Sequence, residues 1–118
     1  MLNDSVINVL KNNLWDVATC ADNEPNVVPV GFKDVTAEGN LVVGDVFLDT
    51  TLKNIAENNG RVAVSAYDGK TFEGYQIKGS AVYVTEGEVV DVFKAAAEEL
   101  FHGAATAKGA LIITPEKV

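Results

Sequence analysis

At 118 residues the chain suits one domain, residues 1–118, and an apolar content of 47% is enough for a core. A formal net charge of −8 over nine scattered basic residues argues against nucleic acid and against an anionic membrane surface. One cysteine excludes an intramolecular disulfide and fits a reducing cytoplasm, and one histidine leaves no multi-histidine metal site.

In chain order, Asn3 or Asp4 can cap a short helix whose apolar residues are Val6, Ile7, Leu10 and Leu14. No basic stretch precedes those residues, so the N-terminus does not read as a signal peptide. No apolar run approaches the roughly 20 residues of a membrane span. WDVATCA, Trp15 to Ala21, has strand character, and ADNEP is turn chemistry. The turn joins that strand to NVVPVGFKDVTA, Asn26 to Ala37, as a hairpin. Pro29 lacks a backbone donor and belongs at an edge or bulge. Gly31 in the same run points to a close approach by something else.

EGN, Glu38 to Asn40, is a second tight turn, followed by the strand LVVGDVFL, Leu41 to Leu48. A helix of about Thr51 to Asn59 ends at Asn59 and Gly60. RVAVSAY and FEGYQIKGSAVYVT are the next two strands. In the second, Tyr75, Ile77, Ala81 and Tyr83 share one face, and Gln76, Lys78 and Ser80 share the other. Thr85 and Glu88 have capping-box spacing ahead of a helix that runs to about Phe101. Val89, Phe93, Ala96, Ala97 and Leu100 form its apolar stripe. ALIIT is a last strand. Six strands, short turns and three short helices suggest a mainly β fold, a small antiparallel barrel. The strict βαβ alternation of a parallel sheet is absent.

Chemistry is sparse. His102 reads as a helix C-terminal residue and Cys20 as a small buried one. Nucleophile and metal motifs do not occur, so an enzymatic role would need a cofactor to supply reactivity. The remaining candidate is the turn before Lys53. A helix N-terminus offers free N–H groups and a positive dipole end, Thr50 and Thr51 add hydroxyls, and Lys53 adds charge. Those features suit a phosphate. Asp49, Thr50 or Thr51 would equally cap the helix with no ligand present.

Three stretches in this order, ATCADNEPNVVPVGF (Ala18 to Phe32), TLKNIAENNGRVAV (Thr51 to Val64) and YQIKGSAVYV (Tyr75 to Val84), carry a resemblance. The chain resembles the small, single-domain members of the pyridoxamine 5′-phosphate oxidase-like family of FMN-binding split barrels. The resemblance implies a six-stranded antiparallel split barrel that forms a homodimer with FMN at the interface. It implies that the isoalloxazine ring lies along Pro29, Val30, Gly31 and Phe32 and approaches Asp45, Val46 and Phe47. The phosphate would lie at Thr50, Thr51 and Lys53, with Asn54 supporting the turn, and Gln76 would contact the flavin or orient a neighbour.

One departure stands out. Members of the family commonly carry Lys or Arg just before the threonine, where this chain has Asp49 and Thr50. The full oxidase holds its substrate's phosphate with arginines, and this chain has Arg61 alone. The implied function is a cytoplasmic FMN flavoprotein, an oxidoreductase or electron carrier acting on a small acceptor. The alternative is a binding protein that has lost tight FMN binding or takes another cofactor, such as haem with His102 as ligand.

Overall fold

The structure, a computed structural model, describes residues 2–118. Its elements are α1 (Asp4–Asn12), β1 (Trp15–Ala21), β2 (Glu24–Val30), β3 (Lys33–Val35), β4 (Leu41–Asp45), α2 (Thr50–Glu57), β5 (Arg61–Tyr67), β6 (Gly74–Val84), α3 (Glu88–Phe101) and β7 (Gly109–Lys117). One sheet holds all seven strands in the order β2-β1-β5-β6-β7-β4-β3, every pair antiparallel. The mainly β expectation is borne out.

The outermost strands, β2 and β3, are consecutive in the chain and joined only through Gly31 and Phe32. The sheet must therefore curl until its edges approach each other, which gives a split barrel with a seam. Sequence reading made Asn26 to Ala37 one strand and counted six. The run instead breaks at Gly31, and the Phe32 carbonyl accepts from the Gly44 N–H at 2.8 Å. That bond fastens the bend to the end of β4. Pro29 does sit on an edge strand. At the β1–β2 turn, Asp22 and Asn23 have φ of 52° and 62°, the left-handed pair that a two-residue hairpin loop needs.

Alternation fills the barrel. Val17 of β1, Val64 of β5, Ile77 of β6 and Leu111 of β7 point inward, joined by Val6, Val9 and Leu10 of α1 and Ile55 of α2. Burying a side chain of this kind contributes about 1.5–3 kcal/mol. Tyr75, Ile77, Ala81 and Tyr83 do share the packed face of β6, with Gln76 and Lys78 exposed opposite. A second cluster lies outside the barrel, where Val90, Phe93 and Ala97 of α3 meet Val42, Val46 and Ala110. Gly44 permits this approach: a Cβ there would stand 2.7 Å from Phe93 Cγ.

Several local expectations are corrected. Asn3 is the cap of α1, its Oδ1 accepting from the Val6 N–H at 3.0 Å, but the helix stops before Leu14, which is 70% exposed. Asn13 leaves the helix in an extended conformation, so Trp15 turns inward and Leu14 outward. No Thr85–Glu88 capping box forms, because Gly87, at φ 120°, takes the cap position of α3. Leu100 is exposed, and Phe101 packs on the outer cluster instead. Cys20 is exposed rather than buried, since the alternation of β1 gives the inward place to Thr19.

Candidate functional site

Beside the seam, between β2 and the end of β4, lies a cleft of about 270 Å³ lined by Val28, Pro29, Val30, Gly31, Phe32, Gly44, Val46, Phe47 and Leu48. Six of the seven residues expected beside a flat ring share this one wall: Pro29, Val30, Gly31, Phe32, Val46 and Phe47. Every side chain in the lining is apolar. Phe47 is 74% exposed, and its ring meets the edge of Phe101, centroids 5.7 Å apart. Phe32 leans on the same Phe101 ring at 5.9 Å. A Cβ at Gly31 would touch only Leu14 Cδ2, at 3.8 Å, so nothing within this chain requires glycine there.

Further along the seam the chain enters α2. Here the four expected phosphate-side residues part company. Thr50 and Lys53 are exposed, whereas Thr51 and Asn54 are buried. Thr51 Oγ1 accepts from Asn26 Nδ2 at 3.1 Å, and Thr19 Oγ1 accepts from Asn54 Nδ2 at 3.1 Å and from Asn26 Nδ2 at 3.3 Å. This small network locks α2 to β1 and β2. Asp49 occupies the cap position of α2 but makes no side-chain cap bond. Its carboxylate lies 3.5 Å from Lys53 Nζ, both groups largely in solvent.

Asp45, the seventh ring-side expectation, does not line the cleft. It is fully buried, its Oδ2 accepting from the Tyr83 hydroxyl at 2.6 Å and its Oδ1 from the Leu48 N–H at 3.1 Å. Burial, and next the hydrogen bond to Asp45, push the Tyr83 phenol up to about 12. The pair pins the segment that carries Val46, Phe47 and Leu48. Gln76 is placed elsewhere. It pairs with Ser65, Ser65 with Asp16 and Asp16 with Pro29, so one row crosses four strands on the outer face. Gln76 thus stands about 14 Å, three strand spacings, from the cleft rim. His102 closes α3 in a left-handed conformation, exposed, as a helix C-terminal residue should.

Residues 8–118 match the family described as pyridoxamine 5′-phosphate oxidase. The chain belongs to that family. Uncharacterized protein MJ0282 of Methanocaldococcus jannaschii is 36% identical over 94 residues, covering 77% of this chain. This chain spans 62% of that relative's length. The fold is similar to that of HupZ from Group A Streptococcus, with a TM-score of 0.83 at 24% identity over 99% of this chain and 91% of the other. It is also similar to an FMN-binding protein from Syntrophomonas wolfei subsp. wolfei, with a TM-score of 0.69 at 17% identity over 87% and 73% of the two chains. At these identities the two structural likenesses speak for the fold.

For this member of the pyridoxamine 5′-phosphate oxidase family, sequence reading missed Val28, Gly44 and Leu48 in the cleft wall and the Asp45–Tyr83 anchor. Val28 and Leu48 adjoin the two expected segments and could have been included by extending each. The anchor joins residues 38 apart and leaves no local signal.

Proposed function

We propose that this chain holds FMN along its seam and serves as a cytoplasmic oxidoreductase or electron carrier acting on a small acceptor. The observation that carries this reading is the apolar cleft at the Gly31–Phe32 bend, open where the chain itself has no use for a glycine. Pro29, Val30, Gly31, Phe32, Val46 and Phe47 offer a flat ring a wall from which water is shed, and Gly31 lets backbone come close. The exposed Thr50 hydroxyl and the first N–H groups of α2 are the groups available to a phosphate. FMN, when bound, supplies the hydride or electron chemistry that no side chain here can. The FMN-binding protein of S. wolfei, built on the same fold, supports a flavin.

A homodimer with the cofactor at its interface is part of the proposal. A cleft of about 270 Å³ falls just under the usual range of small-molecule sites, roughly 300–1,000 Å³, so one copy would enclose only part of the cofactor. The outer face of β2, β1, β5 and β6 exposes Val27 and Tyr67, each at 63%, and Val82 at 62%. A second copy on this face would cover them, and Gln76, too far from its own cleft, would then serve the cofactor of the other copy.

One observation favours the alternative of a binding protein without tight FMN binding. Lys53 is drawn to Asp49, so the phosphate turn has little positive charge to spare. An absorbance spectrum of protein purified without added cofactor, and again after FMN addition and desalting, separates the two. Retained flavin bands are expected. A colourless protein in both samples would reject the FMN reading.

A further inference from the structure

A second and larger concavity adjoins the cleft. It is a groove of about 540 Å³ between β3 and the first half of α3, within the range of small-molecule sites. Its apolar lining comes from Val42 on the sheet and from Val89, Val92, Phe93 and Ala96 on the helix, while Val35 borders it with its side chain packed in the barrel core. Val92 is 61% exposed although it lies on a groove wall. Gly31 and Phe32 belong to both the groove and the cleft, so a molecule in the groove ends against the bend where the ring would lie.

The charges of this groove have one sign. Asp34 and Glu38 come from the sheet side and Glu88 from the first turn of α3. Asp34 has a partial partner in Lys11 at 3.6 Å, while Glu38 and Glu88 take part in no ion pair among the described residues. The one lysine in the lining, Lys33, is turned away. Its Nζ donates to the carbonyls of Leu10 at 3.0 Å and Lys11 at 3.3 Å and lies 5.5 Å from the centre of the Trp15 ring. Its charge therefore serves the C-terminal end of α1. The positive end of the α3 dipole, which could attract an anion, already faces Glu88 and Asp91.

We propose that this groove is the seat of the substrate, and that the substrate is a small molecule with an apolar body and a cationic, ammonium-type end. The apolar body lies on Val89, Val92, Phe93 and Ala96, and the cation lies within the field of Glu38 and Glu88. Anionic compounds of the same size are repelled. The groove's role as a substrate seat rests on the flavin reading, but its selectivity for cations is a property of this chain with or without flavin.

Phenethylammonium is a suitable probe, with phenylacetate and 2-phenylethanol as the anionic and neutral counterparts. Each is titrated into the ¹⁵N-labelled full chain, both as purified and after FMN addition, while FMN retention is read separately by absorbance. Phenethylammonium is expected to shift the amides of Val35, Val89, Val92 and Phe93 saturably, and phenylacetate to leave them unmoved. Each surface carboxylate is worth roughly three-fold, so a Glu38→Gln, Glu88→Gln double variant should bind the cation about ten-fold more weakly. Its spectrum elsewhere should be unchanged. Equal shifts from the cation and the anion, full binding by the double variant, or shifts confined to other surfaces would overturn the proposal. So would FMN displacing the probe from these amides, because the groove would then be the cofactor's own seat. Retained flavin with no response to the probe sinks the groove alone. A cation response in protein that never holds flavin sinks only the flavin reading.

Discussion

The cleft at the Gly31–Phe32 bend and the turn at Asp49–Lys53 lie along the same seam, yet they differ in what their side chains have left to offer. At the cleft, Phe47 is exposed and Gly31 is open, so the apolar surface is unspent. At the turn, Thr51 and Asn54 are committed to Asn26 and Thr19, and the charge of Lys53 is offset by Asp49 in an exposed pair. The cleft has a surface that only an outside partner can use. The turn is built first as a structural lock, with Thr50 and the helix end as its free remainder. A cofactor spanning both would gain most of its affinity from ring burial and comparatively little from its phosphate.

The largest expected effect comes from removing the anchor beneath both regions. Asp45→Ala leaves the Tyr83 hydroxyl and the Leu48 N–H without an acceptor and should cost about 3 kcal/mol in urea unfolding. A loss of under about 1 kcal/mol would mean that the anchor does not hold the segment. The same pair gives a pH dependence. Tyr83 keeps its proton in the folded chain up to about 12, well above the ordinary phenol value. Its contribution is therefore complete below about pH 10 and fades as the pH rises toward that folded value. Unfolding followed at about pH 9 and pH 11 should show the decline, and Tyr83→Phe should flatten it.

Next in size is the lock itself. Thr51→Val takes the nearer of its two acceptors from Asn26 Nδ2, leaving the longer bond to Thr19, and should cost about 1–2 kcal/mol, while Thr50→Ala should change stability by less than about 0.5 kcal/mol. Equal losses at the two positions would erase the division drawn between them. The smallest effect on stability, within about 0.5 kcal/mol, is expected for Asp49→Lys, whose groups are exposed. Its measured consequence is a tighter Kd for FMN, by about three- to ten-fold. An unchanged Kd would remove this turn as the phosphate seat.

The contrast between Thr50 and Thr51 also marks where sequence reading stops. Both are threonines at a helix start, and only the rotation of α2 against β1 and β2 decides that one faces water and the other Asn26. Residues on a strand are easier, because period-two alternation fixes the face: the two sides of β6 were legible in its pattern. Cys20 obeyed the same parity, but its chemistry as a small apolar residue suggested burial. The break at Gly31 was hidden for a different reason. Residues on either side of it read as strand, and they are strand, but at opposite edges of the sheet. Asp45 was legible as a member of the right segment, while its partner Tyr83 comes from β6 and could be found only once the sheet had folded.

The link at Gly31 and Phe32 has a consequence for the unfolded chain as well. Val30 and Lys33 end the two edges of the seam and are three peptide units apart, so they can never separate by more than about 11 Å. The seam ends are neighbours from synthesis onward, and bringing them together costs almost no loop entropy. The most distant strand pairing in this topology is β4 with β7, where Leu41 meets Ile113. Topologically, then, the barrel is completed by β4 meeting β7 rather than at its visible gap.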